Sequence, residues 1–191
     1  MTRDYPDWGT IATTPESELP TYVSLNDAVG AGPLVIHVMS LFNPFGSNVL
    51  AKIRRVVIAA SCTGGTGVGQ FVARLSRTTS LGTGPVGTPQ PFDTDDPPSG
   101  LQLAIDLTVA PTLGPVLSNV SIWLERNTSV DLARLTDLTY FPPLYAHPPA
   151  SQEKPIVLRP GGGAYVMFQL SGMDGYCMGS IIHTEQPLTP S

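Results

Sequence analysis

Apolar positions along this chain come in short stretches that alternate with polar ones or run continuously for a few residues, and Gly and Pro interrupt them throughout. That pattern is the signature of β-strands rather than of long helices. The first clear strand is Leu34 to Phe42, LVIHVMSLF, closed by the turn residues Asn43-Pro44-Phe45-Gly46-Ser47-Asn48. Val49 to Ala60 follows, with Lys52 and Arg54 expected on one face and Ile53, Arg55 and Val57 on the other. Val68 to Arg77 then alternates Val68, Gln70, Val72 and Arg74 against Gly69, Phe71, Ala73 and Leu75. The glycines between these two strands, Gly64-Gly65-Thr66-Gly67, predict a hairpin, with Val57 and Phe71 turned to the core.

Thr78 to Gly100 has no periodicity and predicts a loop of a length that compact domains reserve for binding or for lining an interface. Strands are expected at Leu101 to Val109, Pro115 to Leu124, Ile156 to Arg159, Ala164 to Leu170 and Tyr176 to Thr184. One helix is predicted, Thr128 to Leu138, opened by a Thr128-x-x-Asp131 capping box and carrying Leu132, Leu135 and Leu138. The sum is about eight strands and at most one or two short helices: an all-β, antiparallel, jelly-roll-like sandwich spanning residues 34–191. Residues 1–33 are too irregular for an element and are expected to form an N-terminal arm. Its aromatics Tyr5, Trp8 and Tyr22, with Phe92 in the long loop, are the candidate anchors on a partner surface, because buried aromatics dominate interface energetics.

Composition narrows the function. The 191 residues suit one domain, and 20 Pro with 19 Gly are distributed along the whole chain, which again excludes long helices. Only 13% of residues are charged and the formal net charge is -5, with no basic run beyond Lys52, Arg54 and Arg55, so nucleic acid is not an expected partner. No apolar run reaches the roughly 18 residues that a membrane-spanning helix needs, and the N-terminus MTRDYPDWGT lacks the apolar core of a secretory signal. The expectation is a soluble chain that does not engage a membrane. Cys62 and Cys177 are too few for a disulfide framework and are read as buried thiols, with a bridge between them as the alternative.

Val56 to Arg77 imitates a dinucleotide-binding turn, but Gln70 or Val72 occupies the place of the third glycine, whichever start is chosen. Asp93, Asp95 and Asp96 offer oxygen ligands, yet the Gly and Glu of a calcium loop do not follow, so capping of turn N–H groups is the better reading. His37, His147 and His183 have neither metal-site spacing nor a neighbouring carboxylate, and Glu125, Glu153 and Glu185 read as isolated surface acids. No G-x-S-x-G elbow or activated-thiol signature occurs. No catalytic residue, metal or cofactor is therefore expected.

Asn43-Pro44-x-Gly46-Ser47, Lys52-Ile53-Arg54-Arg55, the Gly-rich turn, Arg74-Leu75-Ser76, Asp93-Thr94-x-Asp96-Pro97 and Ile156 to Gly162 together resemble β-sandwich virion structural proteins of tailed phages and related viruses. The resemblance spans about residues 35–185 as a style of sequence, and the Pro-rich segment Phe141 to Pro155 departs from it. It implies a non-enzymatic head-decoration, minor-capsid or tail-associated role without chemistry. The partners it implies are further copies of the chain, a trimer being preferred, and a major capsid or other virion protein, with assembly into the virion in the host cytoplasm. A carbohydrate-binding or adhesion module is the alternative. Against it, the only two Trp, Trp8 and Trp123, leave the predicted loops without an evident sugar platform.

Overall fold

The structure is a computed structural model that describes residues 19–30, 35–64, 67–126, 139–140, 143–147, 154–171 and 174–188. Those residues form thirteen strands in two antiparallel sheets and no helix; the predicted helix Thr128 to Leu138 lies outside them. The strands are β1 (Thr21–Gly30), β2 (Val35–Asn43), β3 (Val49–Gly64), β4 (Gly67–Thr78), β5 (Val86–Gly87), β6 (Gln90–Pro91), β7 (Gln102–Ile105), β8 (Leu113–Arg126), β9 (Thr139–Tyr140), β10 (Tyr145–Ala146), β11 (Ile156–Leu158), β12 (Gly162–Ser171) and β13 (Asp174–Pro187). One sheet has the order β10-β3-β13-β1-β6, with β9 and β11 also on β3; the other has the order β5-β7-β2-β12-β4-β8.

The ladders nest. β4 pairs with β8, β3 with β9, β10 and β11 in succession, β2 with β12, and β1 with β13. This is one long hairpin centred between β4 and β8, rolled up so that β13 also pairs with β3 and β12 with β4. Because β9 to β11 act as a single interrupted edge strand, the nest has eight positions and is a jelly roll, the sandwich that the apolar pattern predicted. Pro115 falls within β8, a strand with one sheet neighbour, where a missing N–H breaks no ladder on the far side.

Two expectations need correcting. β3 and β4 do not form a hairpin: β3 ends at Gly64 in one sheet and β4 begins at Gly67 in the other. Each strand has one apolar face to bury, and facing sheets satisfy that need as well as pairing does. Residues 21–30 are likewise not part of an arm, since β1 lies between β13 and β6 inside the sheet. The predicted loop 78–100 contributes β5 to β7 in one sheet and β6 to β1 in the other, tying the two sheets together at one side.

The core lies between the sheets. Phe71 and Phe168 are fully buried with ring centroids 5.4 Å apart, among Met39, Leu41, Ile53, Val56, Ile58, Leu75, Val166, Cys177 and Ile181. Phe71 faces the core as predicted, but Val57 does not; Val56 does. The cause is a bulge: Ile182 sits opposite Arg55 while His183 sits opposite Ile53, so Arg54 has no partner position and the alternation shifts by one. At Gly179 a Cβ would come within 2.9 Å of Val38 Cγ1 in the facing sheet, so the close approach there requires glycine. Asn26 bridges the sheets, its Nδ2 donating to the carbonyl of Val38 at 2.7 Å and to Asp106 Oδ1 at 2.9 Å. Cys177 is a buried free thiol; the side chain of Cys62 lies outside the described residues.

Candidate functional site

Polar groups gather where the start of β1, the end of β13 and residues 92–101 meet. Beyond the bulge, His183 and Glu185 point inward, two residues apart on one face of β13, and are 0% and 4% exposed. His183 Nε2 lies 3.1 Å from Glu185 Oε1, which also accepts the hydroxyl of Ser99 in a short hydrogen bond. Glu185 Oε2 accepts the N–H of Gly100 at 2.9 Å, and Ser99 Oγ accepts the N–H of Leu101 at 3.1 Å. A larger residue at position 100 would crowd Val49, at 3.1 Å from its Cβ. Tyr22, opposite His183 across the β1–β13 ladder, stacks on the imidazole at 5.3 Å and donates its hydroxyl proton to the carbonyl of Pro97 at 2.8 Å. The backbone adds Phe92 N–H to Thr21 carbonyl at 2.8 Å and Glu185 N–H to Pro20 carbonyl at 3.0 Å.

Ser, His and Glu side by side invite comparison with a hydrolytic triad, but the order is wrong for one. A triad needs imidazole against the hydroxyl to take its proton. Here the carboxylate stands between them. Burial alone would push that carboxyl up, yet the hydrogen bonds from His183, Ser99 and Gly100 outweigh it and hold Glu185 below the usual carboxylate range, which makes it a weak base. The cluster is a clamp that pins the 97–101 backbone to β13.

What the clamp presents is the tip 92–96. Phe92 is 62% exposed and Asp93 and Asp95 are exposed. Asp93 Oδ1 accepts the Asp95 N–H at 3.0 Å and the Asp93 carbonyl accepts the Asp96 N–H at 3.1 Å, the capping role expected from the sequence. Among the described residues no group of three or more His, Cys, Asp or Glu side chains is placed to hold a metal ion.

A second feature lies across the same sheet. Arg54, Arg55, Pro143, Ala146, His147 and Ile182 line an open groove of about 460 Å³ on its outer face. Arg54 Nε donates to Thr184 Oγ1 at 3.3 Å, and the His147 N–H donates to the Arg54 carbonyl at 2.8 Å. The bulge that turned Val57 out of the core also places Arg54 and Arg55 on one face.

Comparisons with family models, curated proteins and solved structures return no match. Of the residues singled out as partner anchors, Phe92 is on the surface and Tyr5 and Trp8 lie outside the described residues. Tyr22 is corrected: at 1% exposure it is a core residue of its own domain and is not available to a partner. Glu185 and His183 are corrected too, since they form a buried pair instead of a surface acid and a carboxylate-free imidazole. The spacing His183-x-Glu185 was the available signal, because residues two apart share a face of a strand.

The buried acids give the fold a defined alkaline limit. Burial, then the charges of Glu185 and Asp96, push the Tyr22 hydroxyl from 10.0 up to about 12; burial pushes Tyr165 from 10.0 to about 12 against the opposing charge of Arg74; burial and Asp106 push the Cys177 thiol from 9.0 to about 12. Each group holds its proton longer when folded than when unfolded. Stability from this source is therefore complete below pH 9 and is lost as the pH rises through 9 to 12. Denaturant midpoints measured from pH 8 to 12 are expected to fall steadily above pH 9, and a flat profile would contradict these burials.

Proposed function

We propose that this chain is a non-enzymatic structural subunit of a virion, a capsid decoration or minor capsid subunit that associates with itself, as a trimer by preference, and binds a larger protein lattice. The observation that carries the reading is how the buried polar groups are used. Tyr22, His183, Glu185 and Ser99 are spent on holding backbone, and what they hold is an exposed tip with Phe92 at its start and Pro97 and Pro98 behind it. Proline-stiffened, anchored loops lose little entropy when a partner covers them, which suits a surface built for assembly. The jelly roll supports the same reading by analogy, being an architecture common among capsid domains and shared with lectins.

The test is copy number. Nuclease-resistant particles purified from the source that carries the gene are expected to contain this chain at a fixed ratio to the main shell protein. Detection only in the particle-free fraction, with the particles complete without it, would overturn the reading. A glycan-binding screen of the purified chain addresses the adhesion alternative, and specific retention there would favour that class instead.

A further inference from the structure

We infer that the groove beside Arg54 and Arg55 receives the Phe92–Asp96 tip of a second copy of this chain. This rests on the self-association proposed above and names its contact.

Chemical complementarity is the first support. The groove combines apolar walls, Pro143, Ala146 and Ile182, with the cations Arg54 and Arg55. The tip combines an exposed aromatic ring, Phe92, with Asp93, Asp95 and Asp96 close behind it. Arg55 is exposed and has no acidic partner among the described residues, and none of the three aspartates has a cationic one. A ring seated on the apolar wall would bring carboxylates to the guanidiniums, where charge-assisted hydrogen bonds are strongest.

Position is the second. Ala146 pairs with Arg55, Arg55 with Ile182, Ile182 with Val23 and Val23 with Gln90, a single row across the sheet. The groove lies at the β10 end of that row, and the tip leaves the sheet from β6 at the other end. The groove spans β10, β3 and β13, so Ile182, its lining residue nearest β6, is two strand spacings of ~4.8 Å, about 10 Å, from that edge, and Arg55 is three, about 14 Å. The tip and the groove therefore occupy separate places on one molecule. Between molecules they make a head-to-tail contact of two different surfaces, the kind that closes into a ring when the rotation per copy allows. Preorganisation is the third support, because the clamp on Glu185 and the Tyr22–Pro97 hydrogen bond already fix the base of the tip.

Sedimentation equilibrium of the full chain tests the contact through Arg55→Glu, Asp95→Arg, the two combined, and Phe92→Ser. All three positions are exposed, so circular dichroism and melting are expected to match the unchanged chain. Each single charge reversal is expected to weaken association by ~10-fold or more, Phe92→Ser is expected to weaken it as well, and the combined reversal, which restores opposite charges, is expected to recover it. An oligomer indifferent to all four changes would overturn this contact while leaving self-association standing. Single reversals that weaken association without recovery in the combination would also overturn it. A chain that stays monomeric at every concentration would overturn both the contact and the self-association on which it rests.

Discussion

Glu185→Ala is expected to lower the free energy of unfolding by about 3–5 kcal/mol, a large share of what a domain of this size holds in reserve. The change takes the acceptor from three donors: the fully buried His183 Nε2 and the part-buried Ser99 hydroxyl and Gly100 N–H. Each buried donor left without an acceptor costs about 1–3 kcal/mol, and the neighbours are tied to β1, β13 and the loop, so they have little room to find substitutes. Glu185→Gln keeps the shape and one carbonyl acceptor and is expected to cost less. It also separates packing from charge. The folded pKa of Glu185 lies below its unfolded one, so the carboxylate contributes stability above the ordinary carboxylate range, and that contribution disappears as the pH falls through the folded value. The acid limb of the stability profile is expected to flatten in Glu185→Gln. Urea denaturation of the three chains between pH 3 and 7 measures both effects, and an unchanged midpoint in Glu185→Ala would show that the clamp carries no load.

Phe71→Ala and Phe168→Ala are each expected to cost about 3–5 kcal/mol, from lost burial and from the cavity that the neighbours cannot collapse into. Both rings are fully buried on adjacent strands of one sheet and touch each other, with centroids 5.4 Å apart. Residues in contact do not lose stability independently. The double substitution is expected to cost less than the sum of the two, because either single change already removes the ring-to-ring contact. Val57→Ala serves as the comparison: its side chain is on the outer face of the sheet, and a cost well under that of Phe71→Ala is expected. Equal costs for the two would mean that β3 is in the other register.

Strand positions were legible in the chain because each long strand carries its own apolar face. β2, β3, β4, β12 and β13 all begin or end within a few residues of where alternation and turn residues put them. Pairing was not legible, since alternation says which face is buried and nothing about which strand is alongside; hence the hairpin expected between β3 and β4 became a crossing between sheets. The bulge at Arg54 was invisible for a related reason. One skipped residue leaves the composition of Lys52-Ile53-Arg54-Arg55-Val56-Val57 untouched yet decides that Val56 points inward and that two arginines share a face. β1 was missed because polar Ser24 and Asn26 occupy its inward positions, and both are buried there. Of the clamp, only the His183-x-Glu185 spacing was readable, because Ser99 and Gly100 reach Glu185 from more than 80 residues away in sequence.

The nesting of the ladders bears on how the chain comes to be folded during synthesis. β13 is the last described strand, yet it sits in the middle of its sheet, between β3 and β1, with Thr21 pairing to Thr184 across almost the whole described length. Until a ribosome has delivered that strand, β1 and β3 have no common neighbour, and each offers an unpaired edge to any other extended chain nearby. The innermost β4–β8 hairpin can close early, since its partners are near in sequence; the outermost ladder must wait for the largest loop closure. A nascent or truncated chain is therefore one with exposed edges, and the interval before β13 arrives is when association with wrong partners is most to be expected.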